Sequence, residues 1–447
     1  MSEQDNKLRQ VKIKFFTKDE DENIQLNASS DQALFVPETL KRYGLSEILN
    51  HLLQASLGST VPFDFLINGE ILRTSLKEYL INKGLSSEIL LNLEYKKAVL
   101  PPSYLNSFNN DDWISSLDLQ NQNILSGSYD GIVRTWDMSG NIKKQYQGHH
   151  GAIKAVKYIS DTRIVSGSLD RTLRLWKTAA ETYSIEDDNT EEGKTLAILE
   201  GHDAAVVSID VNDNRILSAS HDNSIGIWST NYKEMNIVDS LSKQNYGEAK
   251  GSTQTQKRRK MADKDGSTRR RAPLALLESH RAPVEDIIFD KNDSSVAYSV
   301  SQDHTIKTWD LVTNRCIDTK TTSYSLMSIL QLPELNLLAC GSSVRHITLH
   351  DPRTTSKITN EQLNGHKNFV VSLDRHPTNP NMFVSASHDS TCKIWDVRSN
   401  KPLYTITREN SVEDNKVFAV KWSQSINAVV SAGEDKQIQF NKTENII

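Results

Sequence analysis

Five stretches of the chain share one arrangement of apolar and polar positions. An apolar pair leads into Ser-x-Ser-x-Asp, and alternating apolar residues then run to a Trp six residues beyond the Asp. The pairs are Asp130 with Trp136, Asp170 with Trp176, Asp222 with Trp228, Asp303 with Trp309, and Asp389 with Trp395. Alternation of period two, bounded by turn residues, predicts β-strands. Two weaker copies keep the register. Leu337–Ser342 leads to Val344 at the Asp position and His350 at the Trp position, while Val429–Gly433 leads to Asp435 and Asn441. The Trp-position residues stand at 136, 176, 228, 309, 350, 395 and 441, spaced 40 to 46 residues apart except across two polar insertions.

A period near 40 with Trp136-Asp137, Trp309-Asp310 and Trp395-Asp396 resembles the WD-repeat family and predicts a mainly β chain, a seven-bladed WD-repeat β-propeller. Gly148-His149, Gly201-His202 and Gly365-His366 precede three copies, and Ser279-His280 precedes a fourth. In that family the His hydrogen-bonds the turn Asp, and a strand Ser and the Trp extend the network. The resemblance thus assigns structural networks to His149, Asp170 and Trp176; to His202, Asp222 and Trp228; to His280, Asp303 and Trp309; and to His366, Asp389 and Trp395. An ionised Asp in a tight turn accepts charge-assisted hydrogen bonds, which fixes strand order. In the second repeat the serine is either Ser166 or Ser168, because both point to one strand face.

Ser, His and Asp could also be read as hydrolytic triads, but five parallel copies, each tied to a Trp, argue against it. The scattered histidines lack metal-ligand spacing, and no Gly-rich phosphate loop precedes a helix. The expectation is a protein without an active site or cofactor. After Asn441 only Lys442–Ile447 remain, too few for an outer strand. A strand from about Lys97 to Phe108, ahead of Trp113, is therefore expected to complete the last blade and remove exposed edges. Pro101-Pro102 is tolerable at such an edge.

The domains expected are a polar segment at 1–10, an α+β domain at 11–95 and the propeller at 96–447. Within 11–95, Val11, Ile13 and Phe15 alternate as a strand, with Ile24 and Leu26 as its hairpin partner. Ser46 is expected to cap a helix bearing Ile48, Leu49, Leu52 and Leu53 on one face. Phe63, Phe65 and Ile67 precede the turn pair Asn68-Gly69. Thr74 is expected to cap a short helix that Gly84 ends, and Ile89, Leu91 and Leu93 to form the last strand. The order ββαββ-(short α)-β resembles a ubiquitin-like domain. Ser86, Ser87 and Glu88 then lie on a loop held at both ends.

Composition adds limits more than direction. Hydrophobic residues make up 37%, and no apolar run approaches the roughly 18 residues of a membrane span. Met1–Gln10 lacks the apolar core of a secretory signal. Cys316, Cys340 and Cys392 are few and far apart, which suits small core residues of an intracellular protein. The net charge of -5 hides an uneven distribution. The insertion at about 181–192 is acidic and reads as a solvated loop. That at about 231–272 carries Lys257-Arg258-Arg259-Lys260 and Arg269-Arg270-Arg271, two clusters eight residues apart that resemble a bipartite nuclear import signal. The same charges would attract RNA phosphates.

Taken whole, the chain resembles the WD-repeat subunit of the PeBoW ribosome-assembly complex, fungal members above all. Leu40–Ile48, Val61–Leu66, Leu100–Phe108, Ser301–Asp310 and Gly365–Phe369 carry the resemblance. It implies a non-enzymatic scaffold in large-subunit biogenesis and rRNA processing, found in the nucleus, nucleolus and nucleoplasm on large-subunit precursor ribosomes and not on membranes. The implied partners are Pescadillo, the Block-of-proliferation subunit docked on the propeller, and the AAA ATPase midasin gripping the ubiquitin-like domain. Glu88, in the Ser86-Ser87-Glu88 motif, takes the family's position of ligand in trans to a magnesium ion held by midasin. Two other readings stay open. A generic WD-repeat adaptor, such as a ubiquitin-ligase substrate receptor, would co-purify with ligase subunits. An RNA-binding protein would show affinity that falls with salt and is lost with the basic clusters.

Overall fold

The computed structural model describes residues 9–19, 21, 24–26, 32–53, 60–178, 191–238, 268–354, 362–408 and 415–443. The chain divides into two units, Met1–Leu100 and Pro101–Ile447.

The first unit runs β1 (Gln10–Phe16), β2 (Leu34–Pro37), α1 (Arg42–Leu53), β3 (Phe63–Ile67), β4 (Glu70–Ile71), α2 (Leu76–Lys83) and β5 (Leu91–Lys97). Its sheet has the order β2-β1-β5-β3-β4, with β1 and β5 parallel. Val11, Ile13 and Phe15 on the inner face of β1 pack with Leu45, Leu49 and Leu53 of α1, while Phe15 tilts against Phe65 at 5.6 Å. The turn at Asn68-Gly69 has positive φ at both residues, as a two-residue hairpin requires.

Four local expectations are corrected. β1 takes β2 as its antiparallel neighbour, with Val11 opposite Val36, and not Ile24 with Leu26. Ile24 lies in a turn closed by its N–H on the Asp21 carbonyl. It is fully buried and its own carbonyl accepts the Tyr95 hydroxyl at 2.7 Å, so it plugs the core. Ser46 does not cap α1, which starts at Arg42; from inside the helix its hydroxyl accepts the Phe63 N–H at 3.1 Å. The cap of α2 is Ser75, one residue past Thr74, because its hydroxyl accepts from the Glu78 N–H. Ile89 precedes β5, in the turn where its N–H meets the Ser86 carbonyl.

The second unit is a ring of seven sheets, each built on four antiparallel strands that follow chain order in six of them. Six blades span residues 114–147, 153–200, 206–278, 284–321, 326–364 and 370–407. The seventh joins residues 417–442 to the strand Ser103–Asn109, paired with Gln437–Lys442, so the two ends of the ring share one sheet. The first strands of successive blades lie side by side, and that of the seventh blade meets that of the first. Two blades gain a short parallel fifth strand, Glu191–Glu192 beside Ile142–Gln147 and Arg270–Arg271 beside Lys194–Glu200. The acidic insertion thus ends in strand; its remainder, 181–190, falls outside the described residues.

Each blade turns between its second and third strands through a residue with positive φ, directly after the Asp position: Gly131, Arg171, Asn223, His304, Arg345, Ser390 and Lys436. Where the Asp is present its carboxylate offsets that strain by accepting the next N–H, as Asp170 does from Thr172 at 3.0 Å. In the fifth blade Val344 cannot, and the turn keeps only the bond from the Val344 N–H to Ser342, which other blades make as well, as the Asp170 N–H does to Ser168.

Candidate partner-binding site

The loop between α2 and β5 is fixed at its entry by Gly84. Its left-handed backbone (φ 64°) lets its N–H reach the Ile81 carbonyl, and the Leu85 N–H reaches that of Leu80. Ser86 then turns the chain: its hydroxyl accepts the Glu88 N–H at 3.3 Å and its carbonyl the Ile89 N–H. Ser86 is exposed, Ser87 half-buried and Glu88 exposed. Among the described residues the Glu88 carboxylate accepts no hydrogen bond and joins no ion pair. Nor do three or more His, Cys, Asp or Glu side chains gather as a metal site among those residues. Glu88 can therefore supply one oxygen to an ion held elsewhere.

Within the propeller, four blades carry the same chain of bonds. In the second, His149 Nδ1 lies 2.8 Å from Asp170 Oδ2, and its Nε2 lies 2.8 Å from Ser166 Oγ. Since the carboxylate can only accept, Nδ1 carries the proton. Nε2 then accepts from the Ser166 hydroxyl, whose oxygen accepts the Trp176 indole N–H at 2.8 Å. Ser166 is thus the network serine, and Ser168 accepts the Asp170 N–H from its own turn. His202, Asp222, Ser218 and Trp228 repeat the chain, as do His280, Asp303, Ser299 and Trp309, and His366, Asp389, Ser385 and Trp395. Every hydroxyl and ring nitrogen in these chains is engaged and the serines are fully buried, so none offers a nucleophile to a substrate.

The two basic clusters are placed differently. Lys257, Arg258, Arg259 and Lys260 fall outside the described residues. Arg269 sits over the Tyr232 ring and donates to its hydroxyl at 2.7 Å, Arg270 pairs with Glu200 at 2.7 Å, and Arg271 is buried with its guanidinium also over Tyr232. Residues 236–238 pair with 270–272, so these arginines form the stem of the insertion.

Sequence reasoning missed two groups. Arg408 takes the histidine's place in the seventh blade, gripping both Asp435 and Ser431. Its position just after the strand Tyr404–Thr407 was the available signal. The second group lines the axial cavity of about 240 Å³, to which all seven first strands contribute. There Asp210, Asp286 and Asp374 each accept a backbone N–H from the next blade, from Phe289, Ile329 and Trp422 respectively, as Asp118 of the first blade does from Tyr158 beside the lining. Lys157 Nζ stands 3.5 Å from Asp210 Oδ1, and the carboxylates around it raise its pKa although burial opposes this.

Comparison with known proteins agrees with this division. Residues 11–80 match the NLE (NUC135) domain, and residues 103–137, 140–177, 193–229, 271–310 and 357–396 match the WD domain, G-beta repeat. Ribosome biogenesis protein YTM1 of Eremothecium gossypii is 63% identical, with 98% of each chain covered. Those of Saccharomyces cerevisiae and Debaryomyces hansenii are 63% and 58% identical at the same coverage. Among solved structures, the WD40 beta propeller domain of Doa1 aligns with a TM-score of 0.57 at 19% identity, over 77% of this chain and 98% of that one; the likeness is one of fold alone.

Proposed function

The chain belongs to the family of ribosome biogenesis protein YTM1, and on that premise we propose that it links a propeller-borne assembly to a force-generating ATPase. It serves ribosome biogenesis without catalysing a reaction and works with preribosomal particles, which places it in the nucleus. In this reading the propeller docks on the Block-of-proliferation subunit in the company of Pescadillo, in nucleolus and nucleoplasm. The N-terminal domain offers Glu88 to the metal site of midasin, which pulls the complex off large-subunit precursors.

One observation carries the Glu88 role: an exposed carboxylate with no partner among the described residues, on a loop braced by Gly84 and Ser86. Magnesium prefers six oxygen ligands at short, fixed distances, so a carboxylate held forward can replace one water on a partner-held ion. Ser86 and Ser87 act as its mount. Import is assigned to Lys257–Lys260, with Arg269–Arg271 contributing mainly as the stem, because Tyr232 and Glu200 already engage them. Contact with rRNA through the same loop is a further part of this proposal.

The test is a tagged pull-down of wild-type protein, Glu88→Ala and Glu88→Asp, read by mass spectrometry with rRNA precursors followed in parallel. Glu88→Ala should keep the propeller partners, lose midasin and accumulate unprocessed large-subunit precursors. Glu88→Asp, one methylene shorter, should weaken midasin binding strongly. Retention of midasin by Glu88→Ala would overturn the metal-ligand role.

A further inference from the structure

In the N-terminal unit β1 alternates between two faces. Val11, Ile13 and Phe15 point into the core, so Gln10, Lys12, Lys14 and Phe16 point the other way. On β2, Phe35 stands directly opposite Lys12 and shares that outward face. Phe35 is 65% exposed and Phe16 36%, so two phenyl rings on neighbouring strands are left in water. Four residues of strand place them about 13 Å apart along β1. A lysine attends each ring. The Lys12 ammonium lies 5.9 Å from the centre of Phe35, and that of Lys18 lies 6.0 Å from the centre of Phe16. Among the described residues Lys12 joins no ion pair. Its distance from the ring is at the outer limit of a cation–π contact, so the ammonium can swing to an anion at little cost.

The carboxylates on this side of the sheet are already neutralised. Glu94 of β5, opposite Phe16 in the register, is buried and pairs with Lys18 at 2.9 Å and Lys96 at 3.7 Å. Asp64 of β3, opposite Lys96, pairs with Arg42 at 2.8 Å. The outward positions of β1 and β2 hold rings, ammonium groups, Gln10 and Pro37, and no carboxylate.

We propose that this outward face of β1 and β2 binds single-stranded RNA. Bases stack on Phe35 and Phe16, and the phosphates between them meet Lys12 and Lys14. Each nucleotide brings one planar ring and one negative charge, which matches the order ring, lysine, lysine, ring across the two strands. A duplex fits poorly, because its bases are already stacked on one another and cannot reach the phenyl rings. An acidic peptide would satisfy the lysines but leave two separated rings in water. Preribosomal particles, with which the chain works, supply the RNA. This inference rests neither on Glu88 nor on the basic insertion, since it concerns a different surface from either.

The experiment uses the full chain carrying Lys257→Gln, Arg258→Gln, Arg259→Gln and Lys260→Gln, which keeps the insertion out of the signal. A short fluorescein-labelled oligouridine is titrated and followed by anisotropy at several salt concentrations. Unlabelled oligouridine, an RNA duplex of equal length and a polyglutamate peptide serve as competitors. Oligouridine should bind saturably. Phe16→Ala and Phe35→Ala should each weaken it about fivefold or more, with the melting temperature unchanged because both rings are exposed. Phe16→Tyr and Phe35→Tyr, which keep a ring, should bind like their parent. Lys12→Gln should reduce the slope of log affinity against log salt by about 0.7. The proposal is overturned if oligouridine does not saturate, or if either Ala variant binds as tightly as its parent. It is also overturned if the duplex competes as well as oligouridine, which would reduce the site to phosphate attraction, or if polyglutamate does, which would make its occupant an acidic peptide.

Discussion

Arg408 lays its guanidinium on Asp435 through two nitrogens, Nε 2.7 Å from Oδ2 and Nη2 2.6 Å from Oδ1, so an arginine holds the turn of the seventh blade where a histidine holds it in four others. Its Nη1 also donates to Ser431 Oγ at 2.7 Å, the hydroxyl that bonds a tryptophan elsewhere. The seventh blade has Asn441 at that place, bonded to Gln439, and Arg408 makes good the loss. Both charges are buried, so removing one strands the other. Arg408→Ala should lower the unfolding free energy by roughly 3–5 kcal/mol, while Arg408→Lys, which keeps the charge without the fork, should cost about 1–3 kcal/mol. Urea denaturation of the three proteins checks this, and an unchanged midpoint for Arg408→Ala would show that the closing blade is held by its strands alone.

Acid should loosen the ring in two stages. Burial lowers the pKa of His149, His280 and His366, so the folded chain binds these protons less readily than the unfolded one, and stability falls as pH drops below about 6.5. Burial alone would raise Asp170, Asp222 and Asp389, but bonds from their histidines, from neighbouring hydroxyls and from backbone N–H groups outweigh it and hold all three well below the usual carboxylate range. Their contribution is complete above about pH 4 and is lost as pH falls further. The melting temperature should therefore be level from pH 7 to 8, decline below about pH 6.5 and fall more steeply below about pH 4. In the Asp286→Asn variant, which lacks the opposing gain from protonation of Asp286, a level profile between pH 6.5 and 4.5 would mean that the histidines are not held neutral.

In the N-terminal unit a helix is tied to its sheet by polar side chains. Ser46 accepts the Phe63 N–H, and Asn50 both accepts the Val61 N–H at 2.9 Å and donates to the Val61 carbonyl at 2.7 Å. Each substitution to Ala leaves backbone groups without partners. Ser46→Ala should cost about 1 kcal/mol and Asn50→Ala about 2–3 kcal/mol. Hydrogen exchange should show the Phe63 and Val61 amides losing protection in the respective variants.

The propeller was legible in the sequence because its signal repeats: an Asp fixed in a turn and a Trp six residues on report one blade after another, even through the weak copies at His350 and Asn441. Ser166 and Ser168 could not be separated, because they share a strand face and differ only in what lies opposite. The N-terminal elements were legible in order but not in their ends. Ile24 and Leu26 copy a strand's alternation while Ile24 serves as a plug, and Ser46 has the chemistry of a cap while lying a full turn inside α1. Arg408 and the axial aspartates were hidden for a common reason. Each joins residues from different strands or blades, and no spacing along the chain records that proximity.

Asp286 is the axial carboxylate whose surroundings suit it least. Ser208 Oγ donates to its Oδ1 at 2.6 Å and the Ile329 N–H to its Oδ2 at 2.9 Å, which ties the third, fourth and fifth blades together. Burial nevertheless dominates and pushes its pKa up to about 6. The folded state thus holds this proton when the unfolded state has released it, so stability rises as pH falls from above 6 toward 4, opposite in sign to the blade networks. At pH 7.5 the buried charge costs roughly 3 kcal/mol. Asp286→Asn removes that charge, keeps an oxygen for a backbone N–H and can donate to Ser208 Oγ, at a loss of about 1 kcal/mol for the second acceptor. The variant should then be about 1–2 kcal/mol more stable than wild type at pH 7.5 and slightly less stable at pH 4.5, where wild-type Asp286 is protonated. Urea denaturation of both proteins at the two pH values decides it. An equal loss at both would show that Asp286 is ionised at little cost and that its donors, the Ser208 hydroxyl and the Ile287 and Ile329 N–H groups, not burial, set its state.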